Sequence, residues 1–302
     1  MPCTWQTFSR NLHQTYKLDI HYKMKSYSSF QPQYICPICK NKLNKTEQSF
    51  ICENRHCFDI AREGYVNLLP VQQKKSKNPG DNKIMIQSRQ DFLNNHYYDI
   101  LIEPCAKIID KFIAERFDQC CLVDVGCGDG FFTSKIYSQL TQPASCYGMD
   151  ISKDAVKFSA KYDKSIHWFV ASFNDIPLPD KGIDIILKIN APINYKKSLN
   201  KLSDNGIIIS VTPGKSHLDG LKSIIYEEPQ THEKEICPAS YSLLMSKELN
   251  APMQLNNETD IKNLFMMTPF YWNASHNSKD KINNLHDLES NIAFDINVWG
   301  KQ

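Results

Sequence analysis

The sequence predicts an α/β fold built on a mainly parallel sheet, with a small metal-binding module in front of it. Short apolar runs alternate with helix-length segments between residues 120 and 220, which is the pattern of strands joined by crossover helices. A glycine-rich turn follows the first run, and two pairs of cysteine or histidine side chains lie within residues 36–57. A chain of 302 residues accommodates one full domain and a smaller unit.

These patterns divide the chain into four segments. Residues 1–33 are polar and unpatterned, and we expect them to be disordered. Met24 is a possible alternative start, so we expect residues 1–23 to be dispensable. Residues 34–70 form the metal module, residues 71–83 a basic linker, and residues 84–302 the α/β domain. The linker contains four lysines that we expect to grip a nucleic-acid backbone: Lys83 and three that are called the linker lysines below, Lys74, Lys75 and Lys77.

Composition excludes several classes of protein. Apolar residues make up 41% of the chain and charged residues 23%, as in folded globular proteins. No run approaches the roughly 18 apolar residues of a membrane span, and the first 23 residues lack the apolar core of a signal peptide. The cysteines number eleven, and Cys120 and Cys121 are adjacent in an apolar run, so we expect reduced thiols and a cytoplasmic protein.

Charge is distributed unevenly along the chain. Residues 1–90 hold 14 Lys and Arg against 6 Asp and Glu, whereas the remaining residues hold 21 against 27. A basic front end favours contact with a polyanion such as a nucleic acid, and a solvated surface explains the same bias equally well.

The metal module offers five candidate ligands for four positions. Cys36 and Cys39 are separated by two residues, and after twelve further intervening residues Cys52 begins a second pair. Its partner is either His56, after three intervening residues, or Cys57, after four, and zinc sites use both spacings. The motif therefore predicts a structural zinc site with one ligand undecided.

Hydrophobic periodicity predicts the remaining elements in chain order. Apolar residues recur at helical spacing from Ile84 to Phe117, and Pro104 marks a break or a second helix start. Five apolar runs then predict strands, and further segments past residue 220 predict elements that complete the sheet. The segments are "CLVDV", "SCYGMD", "IHWFV", "IDIILKI" and "GIIISV", followed by "SYSLLMSKELN", "IKNLFMM" and "IAFDINVW".

The glycine-rich turn predicts a site for a nucleotide-type cofactor. Gly126, Gly128 and Gly130 allow a tight turn and let a ligand approach the backbone closely. The next strand ends at Asp150, 22 residues past Gly128, where a carboxylate accepts hydrogen bonds from ribose hydroxyls. Asp129 disfavours a pyrophosphate by charge and suits a cationic cofactor such as S-adenosylmethionine, with a dinucleotide as the alternative.

Loops after the later strands are expected at the same edge of the sheet, because ligands bind at the carboxyl ends of strands in such folds. These loops begin with Ala171 and Ser172, with Asn190 and Pro192, and with residues 213–217. Ser172 is equally suited to cap a helix, and a single histidine in a loop is more often structural than catalytic.

Taken together, these motifs resemble the zinc-containing 23S rRNA guanine-N(1)-methyltransferases of bacteria, the RlmA type. The resemblance runs from about Tyr34 to the C-terminus. It implies a Rossmann-like class I S-adenosylmethionine-dependent methyltransferase sheet behind a zinc-binding domain, with S-adenosylmethionine and zinc as cofactors. The motifs are "CPIC", "ICENRHCFD", "AREGYVNLLPVQ", "NPGD", "DVGCGDGFFT", "GMDIS", "VTPG", "HLDGLK" and "MTPF".

The resemblance also implies site residues. Its metal pattern selects Cys36, Cys39, Cys52 and His56, so that Cys57 becomes a bystander. Matched position by position, the cofactor contacts of the family fall on Tyr98, Gly128, Asp129 and His217. The predicted cofactor site consists of these four residues together with Gly126, Gly130 and Asp150 from the glycine-turn argument.

The implied reaction is methylation of nitrogen-1 of one guanine in hairpin 35 of 23S rRNA, and the motifs favour guanine 745 over the neighbouring guanine of that hairpin. A cytoplasmic homodimer is also implied. Asp81 and His217 are the candidates for the base that removes the guanine proton. Gln90 stands where relatives have a second arginine after Arg89, and Asn190 where they have a tyrosine, and both positions concern RNA contacts.

Two other functions remain open at this stage. A small-molecule methyltransferase would share the glycine turn and Asp150 but has no use for a basic zinc module. A zinc-dependent adaptor with an inactive methyltransferase fold would lack the cofactor pocket that the glycines and Asp150 predict.

Overall fold

The protein is described here by a computed structural model that covers residues 33–73, 80–229 and 231–302. The predictions for residues 1–32 and for the linker lysines lie outside the described residues. Residues 33–302 form one compact unit.

Eight strands form one mixed sheet in the order β10-β11-β9-β8-β5-β6-β7-β4, and three short strands form a second sheet, β1-β2-β3. The strands of the small sheet are β1 (Asn44–Lys45), β2 (Ser49–Ile51) and β3 (Cys57–Asp59). Those of the large sheet are β4 (Val66–Asn67), β5 (Cys120–Val125), β6 (Ala144–Asp150), β7 (His167–Val170), β8 (Ile183–Ile189), β9 (Leu202–Pro213), β10 (Tyr241–Leu255) and β11 (Leu288–Lys301).

Helices connect these strands and cover the sheet. They are α1 (Lys83–Leu93), α2 (Ile102–Arg116), α3 (Phe131–Gln139), α4 (Lys153–Tyr162), α5 (Tyr195–Lys201), α6 (Asp219–Ile225), α7 (Glu258–Met266), α8 (Phe270–Asn273) and α9 (His276–Asn283). Asn82 caps α1 by accepting hydrogen bonds from the backbone N–H groups of Ile84 and Met85. Pro104 lies in the first turn of α2, where its missing N–H costs nothing.

The predicted α/β sheet is confirmed. Strands β5, β6, β7, β8 and β9 pair in parallel, and their apolar side chains are buried on both faces, as expected for strands covered on two sides. The segments past residue 220 complete the sheet as predicted, because β10 and β11 add antiparallel strands beside β9. Between β7 and β8 the connection is a loop at residues 171–182 instead of a helix.

Strand register determines where the site lies. Val125 pairs with Met149 in the parallel β5–β6 ladder, so the glycine turn and Asp150 leave the sheet side by side. Asp150 in turn pairs with Val170 at the end of β7. The carboxyl ends of three strands therefore meet at one edge.

The metal module shares apolar contacts and one strand with the large sheet. Its last strand, β4, pairs in parallel with β7 through Val66 and Phe169. The ring of Tyr34 packs edge-on against Phe50 at 4.9 Å and against Phe169 at 5.4 Å between centroids. The module thus rests on the β7 side of the sheet, while its boundaries at residues 70 and 83 stay a prediction.

Among the helices of the described residues, none combines the length and the apolar character that crossing a bilayer requires.

Candidate functional site

The metal module brings four ligand atoms together. One ligand atom from each of Cys36, Cys39, Cys52 and His56 lies within 4.8 Å of the others. The Cys39 and Cys52 sulfurs are 3.6 Å apart, and His56 Nδ1 lies 3.5 Å from Cys36 Sγ and 3.4 Å from Cys52 Sγ. Tetrahedral zinc with bonds of about 2.0–2.3 Å separates its ligand atoms by about 3.5–3.8 Å, so this donor set fits zinc.

Two tight backbone turns produce this cluster. Lys40 and Arg55 adopt positive φ angles of 64° and 61°. Lys40 directly follows the first ligand pair, and Arg55 directly precedes His56. The N–H of Lys40 donates to the Cys36 carbonyl, and the N–H of Arg55 donates to the Cys52 carbonyl. The backbone N–H of Asn41, followed by the neighbouring ligand side chains, lowers the pKa of the Cys39 thiol to about 6, which favours the thiolate form that binds metal.

Cys57 does not join this cluster. It lies on β3, its side chain is exposed, and its sulfur is 3.9 Å from Asp59 Oδ1. The geometry therefore agrees with the ligand set that the family resemblance implies and leaves Cys57 outside it.

The glycine turn after β5 forms an open cradle. Gly126, Gly128 and Gly130 all have positive φ angles, at 78°, 55° and 77°, which side chains rarely adopt. A Cβ at Gly126 would lie 2.4 Å from the Cβ of Ala191, in the loop after β8. The turn is thus packed closely against a second loop of the same edge, and only glycine fits there.

Asp150 ties the ends of two strands together. Its Oδ2 accepts a hydrogen bond from the Gly128 N–H at 3.1 Å, and its Oδ1 accepts one from the Ser152 N–H at 2.7 Å. Burial raises the pKa of this carboxyl, although both hydrogen bonds oppose the shift. Each oxygen retains a lone pair, so the carboxylate can still receive ribose hydroxyls.

Two more carboxyls at this edge have unpaired oxygens. Asp129 is buried, its Oδ1 accepts from the Phe131 N–H, and its Oδ2 has no partner among the described residues. Asp124 is also buried; Thr133 donates to its Oδ2, its Oδ1 has no partner there either, and burial raises its pKa to about 7. Unpaired buried oxygens of this kind indicate room for a ligand that carries positive charge or hydrogen-bond donors.

The glycine turn is covered by the Arg89 side chain of α1. Arg89 Nη1 lies 2.5 Å from Asp81 Oδ2, and Arg89 Nη2 donates to the Met267 carbonyl at 3.3 Å. The Asp81 carbonyl accepts a hydrogen bond from Ser152 Oγ at 2.9 Å, which fixes this segment beside Asp150. Sequence reasoning associated Arg89 with RNA and did not connect it with the glycine turn.

Tyr98 and His217 form a second group. Both are buried, and the Tyr98 hydroxyl lies 3.4 Å from His217 Nε2. His217 Nδ1 accepts a hydrogen bond from the Ala293 N–H at 3.2 Å, so Nε2 carries the ring proton. Burial, followed by the charges of His232 and Lys222, lowers the pKa of His217 to about 3. No hydrogen bond joins this pair to the glycine turn within the described residues, and their contact with a cofactor stays a prediction.

The other predicted loops do reach the same edge. Ser172 accepts a hydrogen bond from the Asn174 N–H and begins a turn; the helix cap weighed for it from sequence is not found, because residues 171–182 form a loop. Asn190 has a positive φ angle of 52°, and its N–H donates to the Val211 carbonyl at the end of β9. The site therefore combines an acidic cradle after β5 and β6 with loops after β7, β8 and β9.

Sequence reasoning missed one buried ionic network close to this edge. Lys188 on β8 pairs with Glu235 at 3.1 Å, and their side chains are only 6% and 16% exposed. The one available signal was a lysine inside an apolar strand, since a buried charge requires a partner. Its partner is 47 residues away and has no signature of its own.

Comparison with known families matches both parts of the chain. A model described as the N-terminal zinc ribbon of RlmA matches residues 34–77, and a methyltransferase-domain model matches residues 117–266. Of solved structures, the YcgJ protein of Bacillus subtilis aligns over 66% of this chain and 99% of its own at 13% identity, with a TM-score of 0.44.

Two relatives are informative at the sequence level. YxjB of Bacillus subtilis, to which a 23S rRNA (guanine-N(1)-)-methyltransferase activity is provisionally assigned, is 27% identical over 87% of this chain and 94% of its own. The 23S rRNA (guanine(748)-N(1))-methyltransferase of Streptomyces fradiae is 31% identical over 61% of this chain and 64% of its own. The chain therefore combines an RlmA-type zinc ribbon with an S-adenosylmethionine-dependent methyltransferase domain, and it is similar to bacterial 23S rRNA (guanine-N(1)-)-methyltransferases.

Proposed function

We propose that this enzyme methylates nitrogen-1 of one guanine in hairpin 35 of 23S rRNA. The observation that carries the proposal is the presence, in one compact unit, of the Cys₃His cluster and the acidic glycine-turn site. YxjB, provisionally named a 23S rRNA (guanine-N(1)-)-methyltransferase, supports the proposal because it aligns over 87% of this chain. A zinc module followed by a basic linker has no evident use for a small metabolite, which disfavours the small-molecule alternative.

The cofactor site is proposed to use the carboxyl edge of β5 and β6. S-adenosylmethionine, when bound, supplies a methyl group on a positively charged sulfur. Asp150 is suited to accept the ribose hydroxyls, and Gly126, Gly128 and Gly130 let the cofactor approach the backbone. The unpaired oxygen of Asp129 adds negative charge beside that position, which favours a cationic ligand. Tyr98 and His217 complete the proposed set.

Proton removal from guanine needs an acceptor, because nitrogen-1 is protonated at neutral pH. His217 is a poor acceptor, since its Nδ1 lone pair is taken by Ala293 and its pKa is lowered to about 3. Asp81 retains one oxygen, Oδ1, without a hydrogen bond among the described residues. We therefore propose Asp81 as the acceptor. Asp81→Asn should slow single-turnover methylation at saturating cofactor by about 10²-fold or more.

RNA binding is proposed for the zinc module and the basic segment after it. Zinc is proposed to hold Cys36, Cys39, Cys52 and His56 together, so that the module keeps its shape against RNA. The linker lysines supply positive charge for the phosphate backbone. The target base must leave its stack to reach the methyl group, which a grip on the flanking backbone assists.

Within the hairpin we propose guanine 745, because "AREGYVNLLPVQ" and "NPGD" follow that subgroup. The Streptomyces fradiae relative is named for guanine 748, which makes that position the alternative. We further propose that the enzyme acts in the cytoplasm as a homodimer, which light scattering of the purified chain would test.

Primer extension tests the substrate. N1-methylguanine cannot form a Watson–Crick pair, so reverse transcriptase should stop one nucleotide before it. Deleting the gene should erase a single stop, and adding purified enzyme and S-adenosylmethionine to the unmodified rRNA should restore it. An intact stop at 745, or loss of a stop at a different base, contradicts the position. Methyl transfer to a metabolite pool but not to naked 23S rRNA contradicts the substrate class.

A further inference from the structure

Arg89 lies directly over the glycine turn. A Cβ atom added to Gly128 would come within 3.2 Å of Arg89 Nη1, so the guanidinium occupies the space just above the turn. The side chain is only 23% exposed, and the Met267 carbonyl accepts a hydrogen bond from Nη2. Arg89 is thus a fixed part of this edge and not a free surface charge.

Carboxylates surround this guanidinium. Asp81 pairs with it directly at 2.5 Å, and the charges of Asp129 and Asp150 also act on it. Burial alone would lower the pKa of Arg89, but these three carboxylates outweigh burial and raise it. The edge therefore holds several negative charges and a permanently positive group at the glycine turn.

This mixture of charges matches the amino-acid tail of the proposed cofactor. S-adenosylmethionine carries positive charge on its sulfur and its ammonium group, and both suit a site rich in aspartates. The tail also carries a carboxylate, which Asp129 and Asp150 would repel unless a cation lay beside it. A guanidinium binds carboxylates with two parallel hydrogen bonds, a geometry that an ammonium lacks.

We propose that Arg89 binds the α-carboxylate of S-adenosylmethionine above the glycine turn. The inference rests on the proposed cofactor site and assigns to that site a residue outside the set expected from sequence. A contact with RNA phosphate is disfavoured for Arg89, because its side chain is only 23% exposed and lies over the glycine turn. Gln90, the next residue, is half-buried and uncharged, so it does not compete for the carboxylate.

Decarboxylated S-adenosylmethionine is the decisive probe, because it keeps the sulfonium, ammonium and adenosine groups and lacks only the carboxylate. Isothermal titration calorimetry of the full chain with both compounds measures the preference without RNA or turnover. Wild-type protein should bind S-adenosylmethionine about 10- to 100-fold more tightly than the decarboxylated compound, the scale of hydrogen bonds to charged groups. If wild-type protein binds both compounds with equal affinity, the proposed role of Arg89 is wrong, and this result does not depend on any variant.

Arg89→Met then tests which residue causes the preference. This substitution should lower the affinity for S-adenosylmethionine by a similar factor and change the affinity for the decarboxylated compound by less than about threefold. Arg89→Lys should restore part of the lost affinity. Arg62→Met, at a 93% exposed arginine of the metal module, is the matched control and should change neither affinity. Equal weakening of both compounds by Arg89→Met means that Arg89 only supports the fold, which overturns the inference. A wild-type chain that binds neither compound refutes the cofactor site itself, so the two failures are distinguishable.

Discussion

The buried ion pair between Lys188 on β8 and Glu235 attaches the segment 231–240 to the sheet, and its contribution to the free energy of unfolding can be measured. Glu235 Oε1 lies 3.1 Å from Lys188 Nζ and accepts from the Tyr195 hydroxyl at 2.5 Å. Its Oε2 accepts from the Ser210 hydroxyl and from Trp299 Nε1. Every lone-pair direction of this carboxylate is thus used by a group from the sheet or from α5.

Glu235→Gln removes the negative charge and keeps the size of the side chain. The Lys188 ammonium, with 6% of its side chain exposed, then stays buried without a counter-charge. Breaking one partner of such a pair costs about 3–5 kcal/mol in free energy of unfolding. Removing both charges in Lys188→Met/Glu235→Gln should recover most of this loss, because no unpaired charge is then buried and the glutamine oxygen still accepts a hydrogen bond.

Urea unfolding at pH 7, followed by far-ultraviolet circular dichroism, measures these differences. The neighbouring pair Lys234–Glu248 is the matched control, because its side chains are 76% and 65% exposed, and Lys234→Met should cost at most about 1 kcal/mol. A loss for Glu235→Gln no larger than the loss for Lys234→Met would refute the reasoning.

The same pair predicts a pH dependence. Burial raises the pKa of Glu235, but Ser210, Tyr195 and Lys188 together outweigh it, so the folded-state pKa is lowered. A lowered folded pKa means that the stabilisation is fully present above the unfolded value, about 4.3, and is lost as the pH falls through the folded value. The stability difference between wild type and Glu235→Gln should therefore be constant near neutral pH and shrink below about pH 4.

Three further predictions follow from the sites. Cys52→Ser should lose its zinc and Cys57→Ser should retain it, as measured by the zinc content of each purified variant in elemental mass spectrometry. Equal loss of zinc from both variants contradicts the ligand set. Asp150→Ala should weaken the binding free energy of S-adenosylmethionine by roughly 1.5–3 kcal/mol in calorimetry without unfolding the chain. An unchanged affinity would mean that other residues bind the ribose. Neutralising the linker lysines should lower the salt dependence of RNA binding by about 0.7 per lost phosphate contact and leave cofactor affinity unchanged; an unaltered salt slope argues against RNA contact there.

Local chemistry explains why much of the fold was predictable from the sequence. The apolar runs of β5 to β9 are bounded by turn residues, so their type and order follow from periodicity alone. The glycine turn and Asp150 were predictable as one site because parallel strands end at a common edge. Spacing alone could not decide whether His56 or Cys57 is the fourth zinc ligand, because zinc sites use both separations from Cys52.

Features that depend on distant partners were not predictable in this way. Arg89 is an ordinary helical arginine in the sequence, and only the tertiary fold brings it over Gly128. The partner of Lys188 lies in a segment without regular structure, so no period predicts it. The parallel pairing of β4 with β7 involves two residues of β4, too few for any strand signal.

The path of the chain gives a physical reason for a zinc module in front of a methyltransferase sheet. The module ends in β4, where Asn67 pairs with Val170 at the carboxyl end of β7. Further along the chain, Gly80 packs against Ser152, since a Cβ there would lie 2.9 Å from the Ser152 Cβ. Asn67 and Gly80 are therefore both anchored at the edge that holds Asp150. An RNA backbone bound beside these two residues would lie next to the proposed cofactor site, so a base leaving its stack would have only a short distance to travel.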